Sequence, residues 1–271
     1  MQILRKPFFI IILLFIFSCD RNKLKSTNIN EPKNLEDSSL KLIDKYPDSL
    51  LLKENIIQKY RDREDYNNAI ITVNNFLKKD STNGRLWNIK AVLHFENGDT
   101  LKSIESFEKE LIYLSSPTDS ISLATLYAET KNSKAIEISN QLKKSYLIKY
   151  EKETEFINGL FNYYKNDYMN ALVHYEKCIA IDYTFMEAYR EKAICLMSQN
   201  KFKEAIATLN KAVVLKNNFD EGYYYLGICY EKIKNIELAK QSYGKAILYS
   251  PDYIEAQQAL DKLNNSKTEN K

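Results

Sequence analysis

From residue 34 onward the chain shows no strand-like alternation of apolar and polar residues. Apolar positions recur three and four apart, the spacing of a helix with one buried face. The pattern breaks at short intervals, at Gly98, Asn132, Asn166 and Asn200. Glycine and asparagine accept the left-handed backbone that ends a helix, so these positions predict helix stops. The whole chain carries only 6 Gly and 5 Pro in 271 residues, which favours long, regular elements. The expected class is all-α.

The helices repeat. The segments YNNAI (66–70), YMNAL (168–172) and FKEAI (202–206) align on Ala69, Ala171 and Ala205, and Ala239 continues the series. Ala171, Ala205 and Ala239 stand 34 apart, and Ala69 lies three periods before Ala171. The two intervening steps fall on Ser103, which is small, and on Glu137, which is not; Ala135 lies two residues earlier. Antiparallel helices sit about 8–10 Å apart, and closer where the crossing residues are small. Gly227 in a first helix and Ala69, Ala171, Ala205 and Ala239 in second helices supply that room. Tyr189, Tyr223, Tyr230 and Tyr243 are the large residues expected to fill the grooves around the crossing.

A 34-residue helix–turn–helix period resembles the tetratricopeptide repeat (TPR). The last period carries the family pattern as Tyr223, Leu226, Gly227, Tyr230, Ala239, Tyr243, Ala246 and Pro251. The resemblance covers residues 50–253 as six repeats, with 118–151 degenerate and its helices shifted by about two residues. It implies a right-handed superhelical solenoid of antiparallel helix pairs. Arrays need caps, and residues 34–49 and 254–265 are expected to supply helices at the two ends. Residues 266–271 are expected to be disordered.

The N-terminus has a different pattern. Arg5 and Lys6 precede an unbroken apolar run from Phe8 to Phe17, then Ser18 and Cys19. Ten apolar residues span about 15 Å of helix, half of a bilayer core, so the run is predicted to be the core of a signal peptide covering 1–18. Ile16 to Cys19 resembles the lipobox of bacterial lipoproteins, which implies lipidation of Cys19 and attachment to a membrane of the cell envelope, inner or outer. An ordinary signal peptide with an incidental Cys19 is the competing reading. Residues 19–33 are polar and are read as a tether.

Charge narrows the partners. The formal net charge is +3, and loss of Arg5 and Lys6 with the leader leaves 3 − 2 = +1. That is no footprint for nucleic acid. The 20 tyrosines fit an AT-rich coding bias as well as a binding role. Candidate chemistry is sparse: no phosphate-binding glycine loop, no HExxH, no GxSxG and no CxxC. No cofactor, metal or catalytic group is expected. His94 stands at a packing position. His174 and Cys178 form an i, i+4 pair, which is two ligands and not a site. Cys195 and Cys229 are 34 apart, as equivalent small buried residues of adjacent helices.

In TPR arrays the first helices line a concave groove. The resemblance therefore places Phe156, Leu160, Tyr163, Tyr164, Arg190, Ile194, Met197, Tyr224, Tyr225 and Ile228 in a partner groove, with Asn88, Val92 and Phe95 earlier in the chain. Tyrosine and arginine are common interface anchors. The chaperone-type carboxylate clamp is not matched, since Glu54, Gln58, Asn88, Val92, Arg190 and Ile194 occupy its places. The expected function is a non-enzymatic protein–protein interaction scaffold, lipid-anchored, that binds a protein or peptide. The alternative is an accessory component of an envelope assembly or processing complex holding an extended peptide or glycan.

Overall fold

A computed structural model describes residues 41–265. The signal peptide, Cys19, the tether, residues 34–40 of the N-terminal cap and the C-terminal tail all lie outside the described residues. Among the described residues every regular element is helical. Helix α1 covers residues 41–45. Antiparallel pairs follow, α2 (Leu50–Asp62) with α3 (Tyr66–Lys79) and α4 (Gly84–Glu96) with α5 (Thr100–Tyr113), and then α6 (Pro117–Glu129) and α7 (Lys134–Tyr146) in sequence. Next come α8 (Glu151–Tyr164) with α9 (Tyr168–Ile181), α10 (Met186–Ser198) with α11 (Phe202–Leu215), and α12 (Asp220–Lys232) with α13 (Ile236–Tyr249). Helix α14 (Ile254–Asn265) closes the chain. Its Ala256 and Leu263 are buried, and most of its other residues are exposed or half-exposed. The described chain forms two compact units, residues 41–126 and 127–265.

Each tight turn is built the same way. One residue takes a left-handed backbone: Glu64, Gly98, Lys131, Asn166, Asn200 or Lys234. The next caps the following helix where its side chain allows: the carboxylates of Asp65, Asp99 and Asp167 and the amide oxygen of Asn235 accept from a backbone N–H three residues on. The third turn differs from the sequence reading. Lys131, not Asn132, is left-handed. Asn132 instead accepts from the Lys134 backbone N–H. The turn comes one residue early, and α7 opens with i→i+3 bonds from Ala135 to Asn132 and from Ile136 to Ser133. Together these put Ala135, Ser139 and Leu142 on the buried face and leave Glu137 exposed. A 3-10 helix, Leu147–Tyr150, then leads into α8.

The small crossing residues have no room to grow. Ala69, Ala171, Ala205 and Ala239 are fully buried. Ser103 takes the same place in α5, where its hydroxyl donates to the Ala91 carbonyl at 2.8 Å. Opposite these residues, a Cβ on Gly227 would stand 2.5 Å from ring carbons of Tyr243, and one on Gly159 would stand 2.6 Å from Tyr175. Both rings are fully buried. The first unit's core gathers Ile43, Ile57, Val73, Leu86 and Leu93, and the second unit's gathers Leu196, Leu209, Tyr223, Leu226 and Cys229.

Candidate partner-binding face

The first helices of the second unit line up side by side, with α10 packed against both α8 and α12. Two contacts tie them to one another, and a third holds α8 to Glu129 at the end of α6. The Tyr163 and Ser198 hydroxyls meet at 3.1 Å. The Tyr164 hydroxyl donates to Glu129 at 3.3 Å. Arg190 donates to both carboxylate oxygens of Glu221 at 2.8 and 2.7 Å.

These contacts correct part of the expected groove. Leu160, Arg190, Ile194 and Met197 are buried, so none of the four is open surface. First helices of neighbouring pairs meet through residues about 30–35 apart in the chain, as Tyr163 meets Ser198 and Arg190 meets Glu221. Arg190 is the clearest case. Its guanidinium is 9% exposed, and its Nε also donates to Glu191 at 3.1 Å. Burial opposes its charge, but Glu191 and Glu221 outweigh that and hold it protonated. Burial lifts the Glu221 carboxyl above the usual carboxylate range, against the pull of Arg190. In the first unit, Val92 and Phe95 are likewise buried, and the Asn88 amide donates to Glu110 at 3.2 and 3.1 Å.

Six of the expected groove residues keep partial exposure: Phe156, Tyr163, Tyr164, Tyr224, Tyr225 and Ile228. They form two aromatic groups. Phe156 meets Phe185 edge-on at 5.1 Å, and Tyr163 lies between Tyr164 at 5.4 Å and Tyr168 at 5.7 Å. Tyr224 sits among Tyr253 at 4.9 Å, Tyr225 at 5.3 Å and Tyr243 at 5.9 Å. Packing therefore accounts for most of Tyr224: it seals the last pair against the loop into α14. Tyr225 and Ile228 flank the same cluster.

The histidines and cysteines have structural surroundings. His94 is 5% exposed, and burial together with Lys90 lowers its pKa. The Nδ1 of His174 is 2.7 Å from the buried Glu155 carboxylate. Burial raises the thiols, Cys195 to about 11, Cys229 to about 12 and Cys178 further, so none is a ready nucleophile. Among the described residues no three potential metal ligands converge, and no helix is long and apolar enough to cross a membrane. A separate cleft of about 660 Å³ lies in the first unit, between Trp87, Lys90 and His94 of α4 and Lys102, Glu105 and Lys109 of α5. The Lys90 ammonium lies 4.8 Å over the Trp87 ring.

Comparison with known proteins agrees with the fold. The family model described as TPR repeat matches residues 196–234, and the model described as tetratricopeptide repeat matches 220–253. Among solved structures, a tetratricopeptide repeat protein from Parabacteroides merdae ATCC 43184 superposes with a TM-score of 0.70 at 18% identity, over 84% of this chain and 90% of that one. PilW, a type IV pilus biogenesis factor, gives 0.57 at 16% identity, over 77% of this chain and 97% of that one. The Cut9–Hcn1 hetero-tetramer of APC/C gives 0.54 at 18% identity, over 86% of this chain and 46% of that one. At these identities the likeness shows the fold alone. No curated protein matches the sequence.

Proposed function

We propose that this chain of TPR helix pairs is a non-enzymatic scaffold that holds a protein or peptide partner on the first-helix face of its second unit. We further propose that Cys19 is lipidated and tethers it to a membrane of a bacterial cell envelope. The observation that carries the reading is the half-exposed aromatic and aliphatic surface of Phe156, Tyr163 and Tyr164 on α8 and of Tyr225 and Ile228 on α12, the first helices on either side of α10. Partly exposed aromatic rings offer a partner large contact area at little cost in side-chain freedom. The surrounding Arg190 network fixes the spacing of α10 and α12, so the surface is preformed. A chain of similar fold occurs in the Cut9–Hcn1 hetero-tetramer, an assembly of proteins.

Joint substitution Tyr163→Ala and Ile228→Ala tests the face. Tyr163 also meets Ser198 and Ile228 packs beside the Tyr224 cluster, so the melting midpoint should fall by a few degrees while helicity, measured alongside, stays that of the folded parent. Loss of interface anchors costs about 2 kcal/mol or more each, so partner recovered by co-purification should fall at least tenfold. Undiminished recovery would exclude this face.

A further inference from the structure

The second helices carry a stripe that partner capture on the first helices does not use. Lys143, Lys177, Lys211 and Lys245 stand 34 residues apart, on α7, α9, α11 and α13. Three residues after each comes Tyr146, Ala180, Val214 or Leu248, and all four are exposed. Val214 is 81% and Leu248 71% accessible. The next position repeats the choice at Ile181, Leu215 and Tyr249, each more than two-fifths exposed. Positions i, i+3 and i+4 share one helix face, so α9, α11 and α13 each present a lysine beside two apolar residues, and α7 presents Lys143 beside Tyr146. Lys109, Ile112 and Tyr113 hold the same register in the first unit.

We infer that this stripe is a docking surface for an anionic lipid bilayer. Three features favour lipid over a protein partner. The rows keep their amphipathic character but not their shape: tyrosine, alanine, valine and leucine occupy one equivalent position, which a fluid surface accepts and a shaped protein pocket does not. Charge is complementary, since no carboxylate interrupts any of the three rows. Asp182, next after Ile181, is bound by Lys152 at 2.9 Å. Lastly, the lysines keep their heads in water. Lys143 and Lys177 each reach within 3.6 Å of Glu155 yet stay more than half exposed, and Lys245 lies 5.2 Å over the Tyr223 ring. Basic residues next to shallowly inserted apolar side chains are what holds a protein on an anionic leaflet. The stripe needs no lipid on Cys19, so the two readings stand or fall separately.

The test uses the full chain carrying Cys19→Ala, which removes both lipidation and the labelling-competent terminal thiol. Cys178, Cys195 and Cys229 are buried. A single cysteine is introduced by Val214→Cys or Leu248→Cys and labelled with a polarity-sensitive fluorophore. Lys232→Cys, at the far end of the last helix pair, is the control. Vesicles of phosphatidylcholine containing phosphatidylglycerol should shift the emission at 214 and 248 to the blue and leave 232 unchanged. High salt, or Lys211→Glu with Lys245→Glu, should abolish the shift. Unchanged emission on anionic vesicles overturns the inference. So does an equal shift on pure phosphatidylcholine. A shift without vesicles that grows with protein concentration overturns it too, and assigns the stripe to a second copy of the chain.

Discussion

Arg190→Ala is expected to destabilise the second unit by about 3–5 kcal/mol, the cost of leaving buried charges without their partner. Removing the guanidinium strands Glu191, 5% exposed, and Glu221, 17% exposed, facing each other across the α10–α12 contact. Replacing Arg190 by Met while changing Glu191 and Glu221 to Gln should recover much of the loss, because neutral side chains of similar volume carry no such penalty. Denaturant unfolding of the three proteins checks this. An Arg190 that merely lined an open groove would be removable at almost no cost, so an Arg190→Ala variant as stable as the parent would restore the sequence-based assignment.

The second large effect is one of pH. Glu110 is fully buried in the first unit, where it meets the Asn88 amide and the Asp119 carboxylate. Burial, then Asp119, pushes its pKa from 4.5 up to about 9. In the folded chain it is therefore protonated at neutral pH and donates to Asp119. A carboxyl whose folded pKa lies above its unfolded value contributes its full stability below the unfolded value, here near 4.5. That contribution falls as pH rises toward 9 and stays constant beyond. Glu110→Gln keeps a donor for Asp119 and an acceptor for Asn88 without a proton to lose. The variant should match the parent near pH 4 and exceed it by a few kcal/mol near pH 8. The 9 − 4.5 = 4.5 unit gap sets a ceiling of about 6 kcal/mol. Unfolding free energies of both proteins across that range check the sign: a difference that shrinks with rising pH contradicts the assignment.

Much of the fold is legible in the sequence because each repeat states it locally. The apolar period, the turn residues and the small residues at the crossings all concern contacts within one helix pair. The stack of alanines at 69, 171, 205 and 239 is buried throughout. What the sequence hides is the contact from one pair to the next. Arg190, Ile194, Met197 and Leu160 sit between packing positions of their own pair and are nonetheless buried, Arg190 against the neighbouring first helix. Only the pairing of Arg190 with Glu221, 31 residues on, marks that burial, and a helical-period reading does not look so far. The third turn is hidden for another reason. Asn132 keeps the register of Asn166 and Asn200 in sequence, but the chain turns at Lys131, and a lysine, unlike glycine or asparagine, gives no local signal for a left-handed backbone. Tyr224 shows the same limit: its role depends on Tyr253, 29 residues later.

The central claim is that partners are held on the first helices of the second unit. Position-specific photo-crosslinking in intact cells tests it most directly. A photoreactive side chain at 163 or 228 should give a common set of protein adducts, and one at Lys203 or Glu237, both exposed on second helices, should not. Equal adducts from all four positions, or none from 163 and 228, would contradict it.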